Sequence, residues 1–62
     1  MCLSTAYRLV PDGEDEKLFE YISDVKVDGD KILFTDVLGK EMEVQGTIKS
    51  MDFVGSKIYI GA

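Results

Sequence analysis

The chain has 62 residues, 45% hydrophobic and 31% charged, with one Pro, six Gly, one Cys and no His; that length holds a single domain, 1–62, and excludes a multidomain enzyme. One cysteine excludes an intrachain disulfide framework, and the absence of His excludes an intrachain zinc site of cysteines and histidines. Twelve acidic against seven basic side chains give a formal charge of −5, which repels polyanions, and the cations from Arg8 to Lys57 are spread too evenly for any run of sequence to form the basic patch that phosphate backbones require.

The first predicted strand runs from Cys2 to Val10, where Leu3, Thr5, Tyr7 and Leu9 alternate with Cys2, Ser4, Ala6, Arg8 and Val10. Period two is strand periodicity, and it turns Cys2 to the side opposite Leu3. Pro11-Asp12-Gly13-Glu14-Asp15-Glu16 joins a turn-forming Pro, a permissive Gly and four carboxylates, and reads as a solvated loop. Lys17 to Ile22 reads as a second strand for its aromatics, although one helical turn also fits Leu18, Phe19, Tyr21 and Ile22. Val25-Lys26-Val27 and Ile32-Leu33-Phe34-Thr35 flank Asp28-Gly29-Asp30-Lys31, and an Asp-Gly pair between β-branched runs predicts a hairpin. Asp36 to Lys40 reads as a further turn with Gly39 available for positive φ, leading into a half-buried strand from Glu41 to Gln45. Beyond Gly46, the spacing of Ile48, Met51 and Phe53 within and just after the strand from Thr47 to Asp52 breaks alternation and predicts a bulge or sharp bend. Gly55-Ser56 turns the chain into a last strand, Lys57 to Ile60, with Ile58 and Ile60 inward.

Six or seven short strands without a convincing helix predict an all-β fold, either a small antiparallel barrel of the SH3-like or Sm-like kind or a bent meander. The expected inward set is Leu3 or Tyr7 with Phe19, Val25, Val27, Ile32, Phe34, Met42, Val44, Ile48, Ile58 and Ile60. Leu33, Val37, Phe53, Val54 and Tyr59 then find no room in so small a core and are available to cover a partner subunit. A core of this size barely offsets the entropy of ordering the chain, so oligomerisation is the expected aid. The apolar stretches are far too short to span a bilayer, and the N-terminus lacks the features of a signal peptide, so a cytoplasmic protein with a reduced thiol is expected.

The most informative residue is Cys2. Its plain reading is a small buried hydrophobe. Its position next to the amino terminus opens another: with Met1 retained, the Met1 amine, the Cys2 amide nitrogen and the Cys2 thiolate close two fused chelate rings; with Met1 removed, the amine and thiolate of Cys2 close one. Thiolate with nitrogen in a planar arrangement suits Ni(II) or Cu(II). A twofold dimer that pairs two such termini completes four ligands around one ion per dimer, and the same geometry otherwise gives an interchain disulfide, which a reducing compartment disfavours. Asp12, Glu14, Asp15 and Glu16 lack the ligand order of a calcium loop, Asp28 and Asp30 are explained as turn formers, and Glu41 with Glu43 has no nucleophile partner. No catalysis is expected of them. Tyr7, Tyr21 and Tyr59 are candidates to stack bases, but without interleaved cations in the sequence.

Met1-Cys2-Leu3-Ser4, the hairpin Val25-Lys26-Val27-Asp28-Gly29-Asp30, the turn Asp36-Val37-Leu38-Gly39 and the run Val44-Gln45-Gly46-Thr47-Ile48-Lys49 together resemble the CooT family. The resemblance covers nearly the whole chain. It implies a small accessory protein of nickel carbon monoxide dehydrogenase maturation, a homodimer binding one Ni(II) between its two Cys2 residues, whose partner is a nickel enzyme or its maturation factors. Members have also been labelled predicted RNA-binding proteins on the strength of a small barrel, a role the acidic charge here does not favour. The expected function is therefore a non-enzymatic nickel-binding accessory protein acting as metallochaperone, store or sensor. The alternatives are an RNA-binding module and a metal-free protein-interaction domain.

Overall fold

The computed structural model describes residues 3–61, and the regular elements within them are all strands: β1 Ser4–Arg8, β2 Glu16–Asp28, β3 Lys31–Asp36, β4 Glu41–Gln45, β5 Thr47–Asp52 and β6 Lys57–Gly61. They form one sheet in the order β4-β3-β2-β1-β6-β5. From β4 to β1 it is the expected antiparallel meander, and β5 pairs antiparallel with β6, but β1 and β6 run parallel. The sheet is therefore mixed, which corrects the all-antiparallel expectation. Alternation marks a strand and its apolar face, whereas the pairing of the first strand with the last depends on the path of the whole chain.

β2 has 13 residues where its neighbours have 5 and 6. Residues 16–22 pair with β1 and residues 22–28 with β3, so the segments expected as separate strands at Lys17–Ile22 and Val25–Val27 are the two halves of one strand. Between them the register slips after Ile22, and Tyr21 takes a φ of 58°. One arm of the sheet is the first half of β2 with β1, β6 and β5; the other is the second half with β3 and β4.

The expected closure into a barrel is not found: β4 and β5 are the two edges of the sheet and share no ladder. Yet Gly46 alone connects them, so the ends of the outermost strands lie within about 7 Å, two Cα steps, and the sheet must curl until they meet at one corner. Gly46, at a φ of 144°, forms that corner. Its N–H donates to the Asp30 carbonyl at 2.7 Å, and a Cβ there would lie 2.6 Å from the Gly61 carbonyl oxygen. The backbone passes so close to the end of β6 that a side chain at this corner would collide with it.

The predicted hairpin is present, with Asp28 opposite Lys31. Its two turn residues are Gly29 and Asp30, and only Gly29 has positive φ, at 61°, the pattern of a type II′ turn. The predicted irregularity in β5 also appears, as a register slip between Ile48 and Ser50.

The core is Ala6, Ile22, Ile32, Phe34, Val44, Ile58 and Ile60, with Leu18, Phe19, Val25, Met42 and Ile48 packed against it; the Phe19 and Phe34 rings stack with centroids 6.4 Å apart. Most of the expected inward set is here, with three corrections. Leu3 is 36% exposed, Val27 next to the hairpin turn is 61% exposed, and Tyr7 lies half-buried on the face opposite Ala6. Ala6 and Ile22 occupy the core instead. β1 is hydrogen-bonded on both sides, and the space under it is filled by Phe34, Ile58 and Ile60, so the small side chain faces in and the large ones face out.

Candidate functional site

The expected ligands, Met1 and the Cys2 thiolate and nitrogen, lie outside the described residues. The described residues begin at Leu3, which follows them in sequence. Leu3 leads into β1, where Ser4 faces Ile22 and Thr5 faces Lys57. Ile22 in turn faces Asp36 at the end of β3, and Lys57 faces Asp52 at the end of β5. The start of β1, the bend of β2, the β3–β4 turn and the β5–β6 turn therefore line one rim of the curled sheet. Two backbone hydrogen bonds tie it together: Thr5 N–H to the Ser56 carbonyl at 2.9 Å and Val37 N–H to the Tyr21 carbonyl at 3.1 Å.

The two turns on this rim share a chemistry and a sequence pattern. In Asp36-Val37-Leu38-Gly39, the Asp36 Oδ1 accepts from the N–H groups of Leu38 and Lys40, both at 2.9 Å. In Asp52-Phe53-Val54-Gly55, the Asp52 Oδ1 accepts from the N–H groups of Val54 and Gly55, both at 3.0 Å. A carboxylate that bonds the backbone ahead of it fixes a turn without a hydrophobic contribution from the tip, so the tip residues are free to point outward. Leu38 is 90%, Phe53 86% and Val54 99% exposed, beside the exposed Val37 and Tyr21. Single exposed apolar residues are ordinary; here several stand along the same rim, on turns that do not need them for packing. The sequence did carry a signal for this, the repeated Asp-apolar-apolar-Gly pattern.

The remaining candidates are dispersed. Among the described residues no group of three or more Cys, Asp or Glu side chains is placed to hold a metal ion. The acidic loop lies between β1 and β2, away from the rim. Glu41 and Glu43 stand on the edge strand β4, opposite Thr35 and Leu33. Asp30 accepts from the Gln45 side-chain amide at 3.3 Å, in a concavity it shares with Arg8, Gly46 and Thr47. Tyr7 and Tyr59 stack with centroids 5.9 Å apart, while Tyr21 stands apart on the rim. No helix among the described residues is long and apolar enough to cross a membrane.

The family model of the CO dehydrogenase accessory protein CooT matches residues 1–61. Among solved structures, the crystal structure of a protein assigned as CooT from Carboxydothermus hydrogenoformans superposes with a TM-score of 0.86 at 18% identity, covering 97% of this chain and 95% of that one. At that identity the likeness concerns the fold. No curated protein matches the chain.

Proposed function

This chain belongs to the CooT family of CO dehydrogenase accessory proteins, and from that premise we propose that it is a homodimeric nickel carrier, store or sensor rather than a catalyst. The observation that carries this reading is the apolar rim around the start of β1. Chain connectivity puts Cys2 one residue before Leu3, and the Cα atoms of adjacent residues are about 3.8 Å apart. A twofold dimer that covers Leu38, Phe53 and Val54 brings two such termini to its axis, because an isologous interface sets each patch against its own copy.

Each terminus then offers the Cys2 thiolate with the Cys2 backbone nitrogen, and the Met1 amine where Met1 is retained. Thiolate and nitrogen donors held in a plane match the geometric preference of Ni(II). On this reading the ion, one per dimer, is held by the two amino termini; what supports it is the chemistry of the Cys2 donor set. Loading requires the thiol to lose its proton, which makes affinity rise with pH, and the ion in turn holds the two subunits together. The natural recipient is CO dehydrogenase or one of its maturation factors, in the cytoplasm.

Titration of Ni(II) into untagged protein tests the reading. Wild type is expected to saturate at about half an equivalent per chain, with thiolate charge-transfer absorption, and Cys2→Ser to lose both the absorption and the tight phase. An unchanged isotherm in Cys2→Ser, or saturation by a monomer, refutes it.

A further inference from the structure

The outer face of the arm built from β2, β1, β6 and β5 gathers side chains that the sequence scatters. Tyr7 stands between Lys17 on β2 and Tyr59 on β6, and Tyr59 stands opposite Ser50 on β5. The two tyrosine rings stack at 26°, and the Lys57 ammonium lies 5.9 Å from the centre of the Tyr7 ring. Lys49, at the register slip of β5, lays its stem over Gly61, where an added Cβ would meet its Cγ and Cε at 2.9 Å. Lys17 and Lys57 thus flank the aromatic pair, and Lys49 lies on the same face over Gly61, three of the chain's seven cations on one face. Among the described residues, Lys17 has Glu20 at 3.5 Å, and neither Lys49 nor Lys57 has a carboxylate within 4.0 Å. Asp52, opposite Lys57 in register, turns its Oδ1 to the amides of its own turn. The outer face of the other arm has the reverse balance, with Asp24, Asp28, Glu41 and Glu43 beside Lys26 and Lys31.

We propose that this face docks an acidic segment of a partner protein, independently of the metal reading. Carboxylates of the segment meet the Lys49 and Lys57 ammonium groups, and its apolar side chains pack against the edges of the stacked tyrosine pair. A single-stranded nucleic acid fits less well. Its bases need open aromatic faces, whereas Tyr7 and Tyr59 stack on each other and Lys57 covers Tyr7. A polyphosphate carries a charge on every nucleotide against a chain of net charge −5, whereas a peptide that alternates acidic and apolar residues carries one on every second residue.

The probe is a fluorescein-labelled decapeptide of alternating Glu and Leu, with a labelled oligouridylate as the second arm, both read by anisotropy at low ionic strength. The peptide is expected to bind, to change the tyrosine emission of a protein that has no Trp, and to lose about tenfold or more in affinity with Lys49→Glu plus Lys57→Glu. Lys49→Gln plus Lys57→Gln, with circular dichroism of both variants, guards against a folding effect and is expected to weaken binding in the same direction. The proposal is overturned by no binding to wild type, by equal binding to the variants, by tighter binding of oligouridylate than of peptide, or by loss of the homodimer on lysine reversal, which makes the face a contact between copies.

Discussion

Tyr21 holds a backbone conformation that a bulky residue rarely adopts, a φ of 58°, at a cost of about 1–2 kcal/mol. The ladders on either side hold it there: residues 16–22 are committed to β1, residues 22–28 to β3, and its own carbonyl accepts from Val37. In an ordinary strand position Val is more stable than Gly by about 1 kcal/mol. At Tyr21 the order should invert. Tyr21→Gly is expected to stay within about 0.5 kcal/mol of wild type and Tyr21→Val to fall by about 1–2 kcal/mol, read from urea midpoints at constant slope; a Val variant more stable than the Gly variant would show that the bend is not strained. A glycine at this position would have announced the bend. With tyrosine there, Lys17 to Ile22 and Val25 to Val27 look like two elements instead of one bent strand. Ala6 eluded the sequence for a related reason, since apolar size favours Leu3 and Tyr7 while the space beneath β1 admits only a methyl group.

Elements whose cause is local were legible. The Gly29 hairpin, the alternation of Met42 and Val44, and the slip in β5 foreshadowed by Ile48, Met51 and Phe53 each depend on a few adjacent residues. The sheet order does not, and the parallel contact of β1 with β6 had no local trace. Turns joining the elements rest on side chains that can be tested singly. Asp36 bonds two amides through one oxygen, so Asp36→Ala is expected to cost about 1–2 kcal/mol, whereas Asp36→Asn, which preserves an acceptor at the same place, should recover most of it. Thermal melts settle the comparison, and equal losses in the two variants would mean that the turn is held by its backbone alone.

For the molecule as a whole, the curl that brings β4 and β5 to one corner also determines what the opposite rim presents. Cys2 was singled out in the sequence by position and chemistry, but the rim was not, because the start of β1 and the turns that carry Leu38 and Phe53 come to the same end of the sheet only through its strand order. If the rim is the dimer interface, its tips are dispensable to the fold and indispensable to the assembly. Leu38→Asp with Phe53→Asp, at sites 90% and 86% exposed, is therefore expected to leave the monomer's stability within about 0.5 kcal/mol while shifting sedimentation from dimer to monomer and reducing the nickel bound. A variant that stays dimeric would move the interface elsewhere on the surface.

The parallel contact of the first and last strands has a practical corollary. Thr5 is level with Lys57, so Ser4 and Gly61 lie at opposite ends of the paired strands, five residues or about 16 Å apart. A fluorophore, an affinity handle or a tether to a sensor chip attached beyond Gly61 stays clear of the amino-terminal end, while the same cargo ahead of Leu3 lands on it. Anchored by its far end, the molecule would present the start of β1 and the turns beside it to the solution.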